Sequence, residues 1–192
     1  YGATFYPIGW KQDVGETSFR EQQNIYNQSV IDLANELYLD KDIQWAEHMR
    51  IVSDNESLKI FQDLSDEICQ ELNTTDEKIR AVYNWVTTNL SYDDSYLLCN
   101  INQCLTDRKA VCSQYTLISI QLLRLQNIPT VYVAGTAVGS SEFSTVEEAT
   151  QQGLGHAWLL AYNGERWVCV DPTNRTYDFD PLNTNYLAED VE

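Results

Sequence analysis

The side chains best suited to chemistry in this chain lie in and before one short hairpin. His156-Ala-Trp-Leu-Leu-Ala-Tyr162 is followed by Asn163-Gly164 and then by Glu165-Arg-Trp-Val-Cys-Val-Asp171. Asn-Gly between two β-rich runs is the strongest short-range hairpin signal. A two-residue loop pairs Tyr162 with Glu165, sets Trp158 opposite Cys169 and sets His156 opposite Asp171. Opposed residues share a face, with Cβ atoms about 4.5–5.5 Å apart. An imidazole and a carboxylate so placed can hydrogen-bond. That contact fixes the tautomer of a catalytic histidine and stabilises its protonated form. A one-residue slip puts the two on opposite faces. A His–Asp pair at a strand end also serves purely structural ends, and the pairing alone leaves both roles open. The other histidine, His48, has no evident carboxylate partner.

A His–Asp pair needs something to act on. The chain has no HExxH and no second histidine near His156, so no zinc, other metal or cofactor is expected. It has no G-x-S-x-G elbow for a serine nucleophile. Cys112 remains, at or just after the start of an expected helix over residues 110–126. A thiol at a helix N-terminus feels the positive end of the macrodipole, which favours the thiolate. Capping at Thr106 or Asp107 would leave it a turn inside, with a weaker effect. The commonest fate of a free cysteine is that of a small buried hydrophobe. The hairpin downstream tips the balance toward a nucleophile.

The elements that must position these groups follow from hydrophobic period. Residues 1–16 show none and read as an irregular lead-in. Helical spacing covers 17–39, 42–51 and 56–72, and the capping box Thr74-x-x-Glu77 opens a further helix ending near Leu90. Residues 91–107 read as a polar connection. The helix over 110–126 is apolar nearly all round, which marks it as central and buried. Asn127 and Pro129 stop it. Strands are expected over 130–138, 156–162 and 165–171, with a polar, irregular stretch at 140–153 that suits either a lid or a solvated connection. Helices first and strands afterwards argue for an α+β fold.

Composition bounds the function. The 192 residues carry a net charge of −17 with 43% apolar residues. That balance suits a folded chain and repels nucleic acid and anionic membrane surfaces. No apolar run approaches the ~20 residues of a membrane span, so no membrane insertion is expected. The chain begins at Tyr1, which fits a trimmed secreted protein and an extracellular or cell-surface location. Of the five cysteines, Cys99 and Cys104 are close enough to pair, and read as a disulfide or two spare thiols rather than metal ligands.

Three blocks resemble the transglutaminase-like superfamily, which shares papain-type cysteine chemistry. Lys78-Ile-Arg-Ala-Val-Tyr-Asn-Trp-Val86 with Asn89-Leu-Ser-Tyr-Asp93 is similar to the family's helix and its I-x-Y-D ending. Lys109-Ala-Val-Cys-Ser-Gln-Tyr115, running on to Asn127-Ile-Pro129, resembles K-G-V-C-x-G-Y and L-G-I-P. Gly155-His-Ala-Trp158 with Trp167-Val-Cys-Val-Asp-Pro-Thr173 resembles G-H-A-W and W-x-x-x-D-P-T. The likeness covers about residues 57–174. It implies a secreted, bacterial-type member with an α+β papain/transglutaminase-like core over 57–192. In that core a buried cysteine-bearing helix packs on an antiparallel sheet. Residues 1–56 match none of these blocks and read as an N-terminal helical extension.

The resemblance implies that Cys112, His156 and Asp171 are the catalytic set. They would act through a thioester on amide or peptide carbonyls, glutamine included, by transglutamination or hydrolysis. It implies Tyr92 as an oxyanion donor beside the Cys112 N–H. A protein or peptide substrate follows. Departures are Ala110 and Gln114, where the family has glycines, Asn127 for the helix-ending glycine and Asn174 for a frequent Trp. A non-catalytic extracellular binding module is the alternative.

Overall fold

Capping chemistry sets where most of the helices begin. The computed structural model describes residues 6–7, 17–48, 51–52, 54–96, 100–139 and 143–192. After a short strand β1 (Tyr6–Pro7), Ser18 and Glu21 cap each other and start α1 (Phe19–Ala34), which continues as a wider turn over Asn35–Leu39. Asp54 accepts the Ser57 N–H at 2.8 Å and opens α2 (Asn55–Cys69). The Thr74–Glu77 box opens α3 (Thr75–Asn89), as the sequence predicts. Then come β2 (Ser91–Tyr92), α4 (Ile101–Asp107), β3 (Lys109–Ala110) and α5 (Cys112–Leu125). The rest is β4 (Thr130–Ala137), α6 (Val146–Gln152), β5 (Leu154–Tyr162), β6 (Trp167–Asp171), β7 (Thr176–Tyr177) and β8 (Tyr186–Val191).

Six strands form one sheet in the order β1-β8-β4-β5-β6-β7, every neighbouring pair antiparallel. Side chains alternate between its faces, as strand geometry requires. Ala157, Leu159, Ala161, Val168 and Val170 meet the apolar stripes of α2, α3 and α5. Trp158, Leu160, Trp167, Cys169 and Leu187 meet α1 and the turn after it. The sheet therefore lies between two helical layers, each enclosing its own core. This is the α+β architecture expected, with the cysteine-bearing α5 packed on an antiparallel sheet.

Several local expectations change. The helix expected over 42–51 is a turn at 45–48. There Trp45 sits edge-on to Tyr38 and His48, and residues 49–50 lie outside the described set. The polar connection at 91–107 contains β2 and α4, and the irregular stretch at 140–153 contains α6, capped by Thr145. Cys99 lies outside the described residues, so its pairing with Cys104 does too; Cys104 itself is buried. Strand β8 has no counterpart in the sequence reading, yet it sits between β1 and β4.

The hairpin register also differs. Tyr162 pairs with Trp167, and Leu160 with Cys169, across a loop of residues 163–166. The Asn163 side chain explains the wider loop. Its Oδ1 accepts the N–H groups of both Glu165 and Arg166 at 3.0 Å, an Asx-type turn rather than a tight two-residue one. Arg166 forks onto Asp178 at 2.7 and 2.6 Å, and Trp167 donates to Asn35 Oδ1 at 2.9 Å. The pairing of His156 directly opposite Asp171 is thus corrected by two residues. An even shift preserves the face, so the two still meet, diagonally rather than squarely.

Candidate active site

Cys112 is the first residue of α5, with Val111 in extended conformation before it. Capping further upstream does not occur, because α4 ends at Asp107 and Arg108 takes a left-handed φ of 56°. The thiol therefore stands at the full N-terminus of a 14-residue helix. Gln114 supports that start: its Oε1 accepts the buried Val111 N–H at 2.8 Å. A glycine could not make this bond. Ala110 is fully buried, and its carbonyl accepts the Asp93 N–H at 3.0 Å. The Gln114 departure thus has a structural role, and the Ala110 methyl belongs to the buried core.

His156 approaches from the sheet. Strand β6 pairs with β5 only over Leu159–Tyr162. From Leu154 to Trp158 that edge of β5 has no strand partner among the described residues, and the gap lets α5 bring Cys112 up to it. The thiol sulfur hydrogen-bonds the His156 ring and is also met by the backbone N–H groups of Ser113 and Ala157. The helix comes from one face of the sheet and the imidazole from the other. They meet where the strand edge is open.

The far side of the ring is closed. His156 Nε2 lies 2.7 Å from Asp171 Oδ2. That contact leaves Nδ1 for the thiol. Tyr186 donates its hydroxyl to the same carboxylate oxygen at 2.6 Å, and Asn174 Nδ2 donates to it at 2.9 Å. The other oxygen accepts the Thr173 and Asn174 N–H groups at 3.0 and 3.2 Å. Asp171 is fully buried, and the rings of Trp158 and Tyr186 lie beside the imidazole, Tyr186 at 5.4 Å and 32°. Sequence reasoning missed Tyr186. It belongs to β8, and no motif signals its alignment with the hairpin. Asn174 holds the carboxylate where the family often has a Trp.

These contacts set the charges. For Asp171, burial opposes ionisation, but the His156 bond and charge, the Tyr186 hydroxyl and the Asn174 N–H outweigh it and hold the carboxyl below its usual range. For His156, burial opposes the cation, yet Asp171 and Cys112 push it up to about 9. For Cys112, burial opposes the thiolate, while the bond and charge of His156 and the two N–H groups bring the thiol below its ordinary value. Both shifts favour the thiolate–imidazolium form of the pair over the neutral one.

Cys112 and His156 open into a cleft of about 450 Å³ lined also by Tyr92, Tyr96, Leu154 and Asn174. Tyr92 is held there by the two-residue parallel ladder of β2 with β3, which pairs it with Ala110. Partial burial first, and then the charge at Cys112, push its phenol up to about 12, so it keeps its proton and can donate it. All four residues expected at the site are thereby brought together. The buried thiol of Cys169, pushed up to about 12 by burial, lies on the sheet face below and outside the cleft lining. Among the described residues no group of three or more His, Cys, Asp and Glu side chains is arranged to hold a metal ion.

The model of the transglutaminase-like superfamily matches residues 62–172, more than half of the chain. Among solved structures, the chain is similar to a candidate cysteine protease from Cytophaga hutchinsonii, with a TM-score of 0.59 and 20% identity over 86% of this chain and 52% of that one. It is also similar to the periplasmic domain of TgpA from Pseudomonas aeruginosa, with a TM-score of 0.51 and 19% identity over 65% of this chain and 46% of that one. The chain thus spans about half the length of these solved relatives. Nothing among the curated proteins matches it.

Proposed function

Since the chain belongs to the transglutaminase-like superfamily, we propose that it is a cysteine-dependent acyl-transfer enzyme acting on protein or peptide amides. One observation carries this reading: a thiol and an Asp-held imidazole meet at a helix N-terminus inside an open cleft. A merely structural His–Asp pair needs neither the helix N-terminus nor the opening.

In the mechanism, the Cys112 thiolate attacks the amide carbonyl carbon. The oxyanion is received by the Cys112 N–H, one of the first-turn amides that a helix leaves without a helical partner, and by the Tyr92 hydroxyl. His156 gives its Nδ1 proton to the amine as the C–N bond breaks, and a thioester remains. Water or an amine then attacks the thioester, giving its proton back to His156. Collapse breaks the C–S bond, returns the Cys112 thiolate and releases the acyl group as a carboxylic acid or a new amide. Asp171 acts through His156 by holding Nε2–H and stabilising the imidazolium.

Labelling with iodoacetamide across pH tests the reading. Cys112 should be modified with a midpoint below the ~8.5 of an ordinary thiol, and Cys112→Ala should remove that modification. A glutamine-containing peptide with a labelled primary amine then separates the outcomes: incorporated amine indicates transglutamination, whereas released ammonia or a cut peptide indicates hydrolysis. A Cys112 that titrates as an ordinary thiol would overturn the assignment.

A further inference from the structure

Among the described residues six large apolar side chains stand exposed, and three of them, Tyr92, Tyr96 and Leu154, line the one cleft that holds Cys112. Tyr96 and Leu154 are 66% and 76% exposed. Leaving such side chains in water serves no purpose in the fold, and apolar surface gathered at a reactive centre marks a place where apolar surface is to be covered. In this strongly acidic chain the cleft lining contains no carboxylate, ammonium or guanidinium group.

Tyr96 carries a second signal. Its φ of 54° puts a bulky residue in the left-handed region. Its N–H donates to the Asp93 carbonyl at 3.1 Å, while Asp93 Oδ1 accepts from the Ser95 N–H and hydroxyl at 3.1 and 2.6 Å. The Asp93 N–H in turn is tied to Ala110, two residues before the nucleophile. A hydrogen-bonded turn anchored to the cysteine segment thus holds an unfavourable backbone conformation and presents the ring at the cleft, edge-on to Tyr92 at 6.1 Å. Leu154 lines the same cleft from the start of the histidine strand, followed by Gly155, where an added Cβ would meet nothing within 4 Å.

From this arrangement we infer that Tyr96 and Leu154, with Tyr92, form a subsite selecting a large apolar side chain on the acyl group of a peptide substrate. The inference rests on the acyl-transfer reading above. The segment tied to the cysteine and the strand that carries the histidine both line the cleft that holds the sulfur, and the group beside the sulfur through both steps is the acyl group. The leaving amine and the acceptor come and go. A bulky Leu- or Phe-like side chain covers these walls, whereas the unbranched stem of glutamine leaves most of them wet.

Peptidyl chloromethyl ketones test this on the intact chain. The Cys112 sulfur forms a bond to the methylene carbon, the C–Cl bond breaks and chloride leaves. Probes with Leu, Phe, Gly, Gln, Asp or Lys next to the ketone are compared, each rate divided by the same protein's iodoacetamide rate. Leu and Phe probes should react about tenfold or more faster than Asp and Lys probes, and the advantage should collapse in Tyr96→Ser and Leu154→Ser. Circular dichroism checks that these surface variants are folded. A Cys112 activated toward iodoacetamide but indifferent to probe side chain would overturn the subsite and leave the acyl-transfer reading standing. So would a preference that survives both substitutions. A Cys112 that reacts as an ordinary thiol would overturn both.

Discussion

The two ends of the candidate site are built on opposite plans. At the Asp171 end everything is closed: the carboxylate is fully buried and its oxygens accept from Tyr186, Asn174 and Thr173 as well as facing His156. At the Cys112 end the walls are open and apolar, with Tyr96 and Leu154 largely in solvent. The permanent charge sits in a rigid cage of donors, so nothing there reorganises when the imidazole gains or loses its proton. The changing partner sits where nothing is fixed. Precision is concentrated where the chemistry repeats unchanged, and space is kept where successive groups must enter and leave.

Removing the groups at the junction of the two ends has the largest expected effect. Cys112→Ala should abolish thioester formation, because among the described residues no other thiol lines the cleft beside His156. His156→Ala should remove nearly all activity, since an unassisted thiol is only a few per cent thiolate at neutral pH. Burst-phase acylation with an activated acyl substrate measures both. Residual acylation in Cys112→Ala would break the scheme.

The closed end comes next. Asp171→Asn should lower kcat by about 10²–10⁴-fold, because an amide nitrogen facing Nε2 favours the wrong imidazole tautomer. Asparagine is the better probe than alanine. The site is fully buried, and with its nitrogen at Nε2 asparagine still offers an oxygen to the Thr173 and Asn174 N–H groups, which alanine would strand without an acceptor. A loss below tenfold would mean that the cage, not the carboxylate charge, does the orienting.

How much of this was legible in the chain depends on sequence distance. The Thr74–Glu77 cap, the left-handed stop at Asn127, with φ of 57°, and the buried α5 all rest on local rules, and the structure has them. The meeting of His156 with Asp171 also came through, although the register was two residues off. Face parity survives an even shift, and face was the part of the inference that mattered. The start of α5 was ambiguous because Thr106 and Asp107 look like caps; the left-handed Arg108 resolves it. The missing parts are the long-range ones. Tyr186 reaches Asp171 only through the β8–β4–β5 order of the sheet, and no spacing along the chain signals which strand lies beside which.

Tyr186 sharpens the comparison at a smaller scale. Tyr186→Phe keeps the ring beside His156 and deletes only the donor to Asp171. It should lower kcat about tenfold with KM little changed, since a hydrogen bond to a charged group is worth about 1.5–3 kcal/mol. The pH profile separates positioning from packing. Activity of a thiolate–imidazolium pair rises as Cys112 ionises, below the usual thiol range, and falls as His156 loses its proton near 9. Without the Tyr186 donor the carboxylate is less shared, binds the imidazolium more strongly, and the alkaline limb should move up. The groups acting on His156 here are Asp171 and Cys112, with Tyr186 acting through Asp171. An unchanged limb with an unchanged kcat would reduce Tyr186 to a packing residue.

The smallest effect is expected at the hairpin turn. Arg166 forks onto Asp178 at 2.7 and 2.6 Å, but both side chains are well exposed, at 57% and 37%. Exposed pairs contribute about 0–1 kcal/mol, so Arg166→Ala should shift Tm by no more than about 2–4 °C. The register of β5 on β6 should survive it. Two Asn163 hydrogen bonds still shape the loop, and Trp167 still anchors β6 by donating to Asn35. The His156–Asp171 contact lies at the opposite end of the hairpin, inside the caged region, so kcat should stay within about twofold. Thermal unfolding together with steady-state kinetics measures both quantities. A large loss of kcat at nearly unchanged Tm would show that the turn, rather than the donors around Asp171, fixes the diagonal His–Asp pairing. The division between a rigid end and an open end would then have to be redrawn with the loop as part of the rigid one.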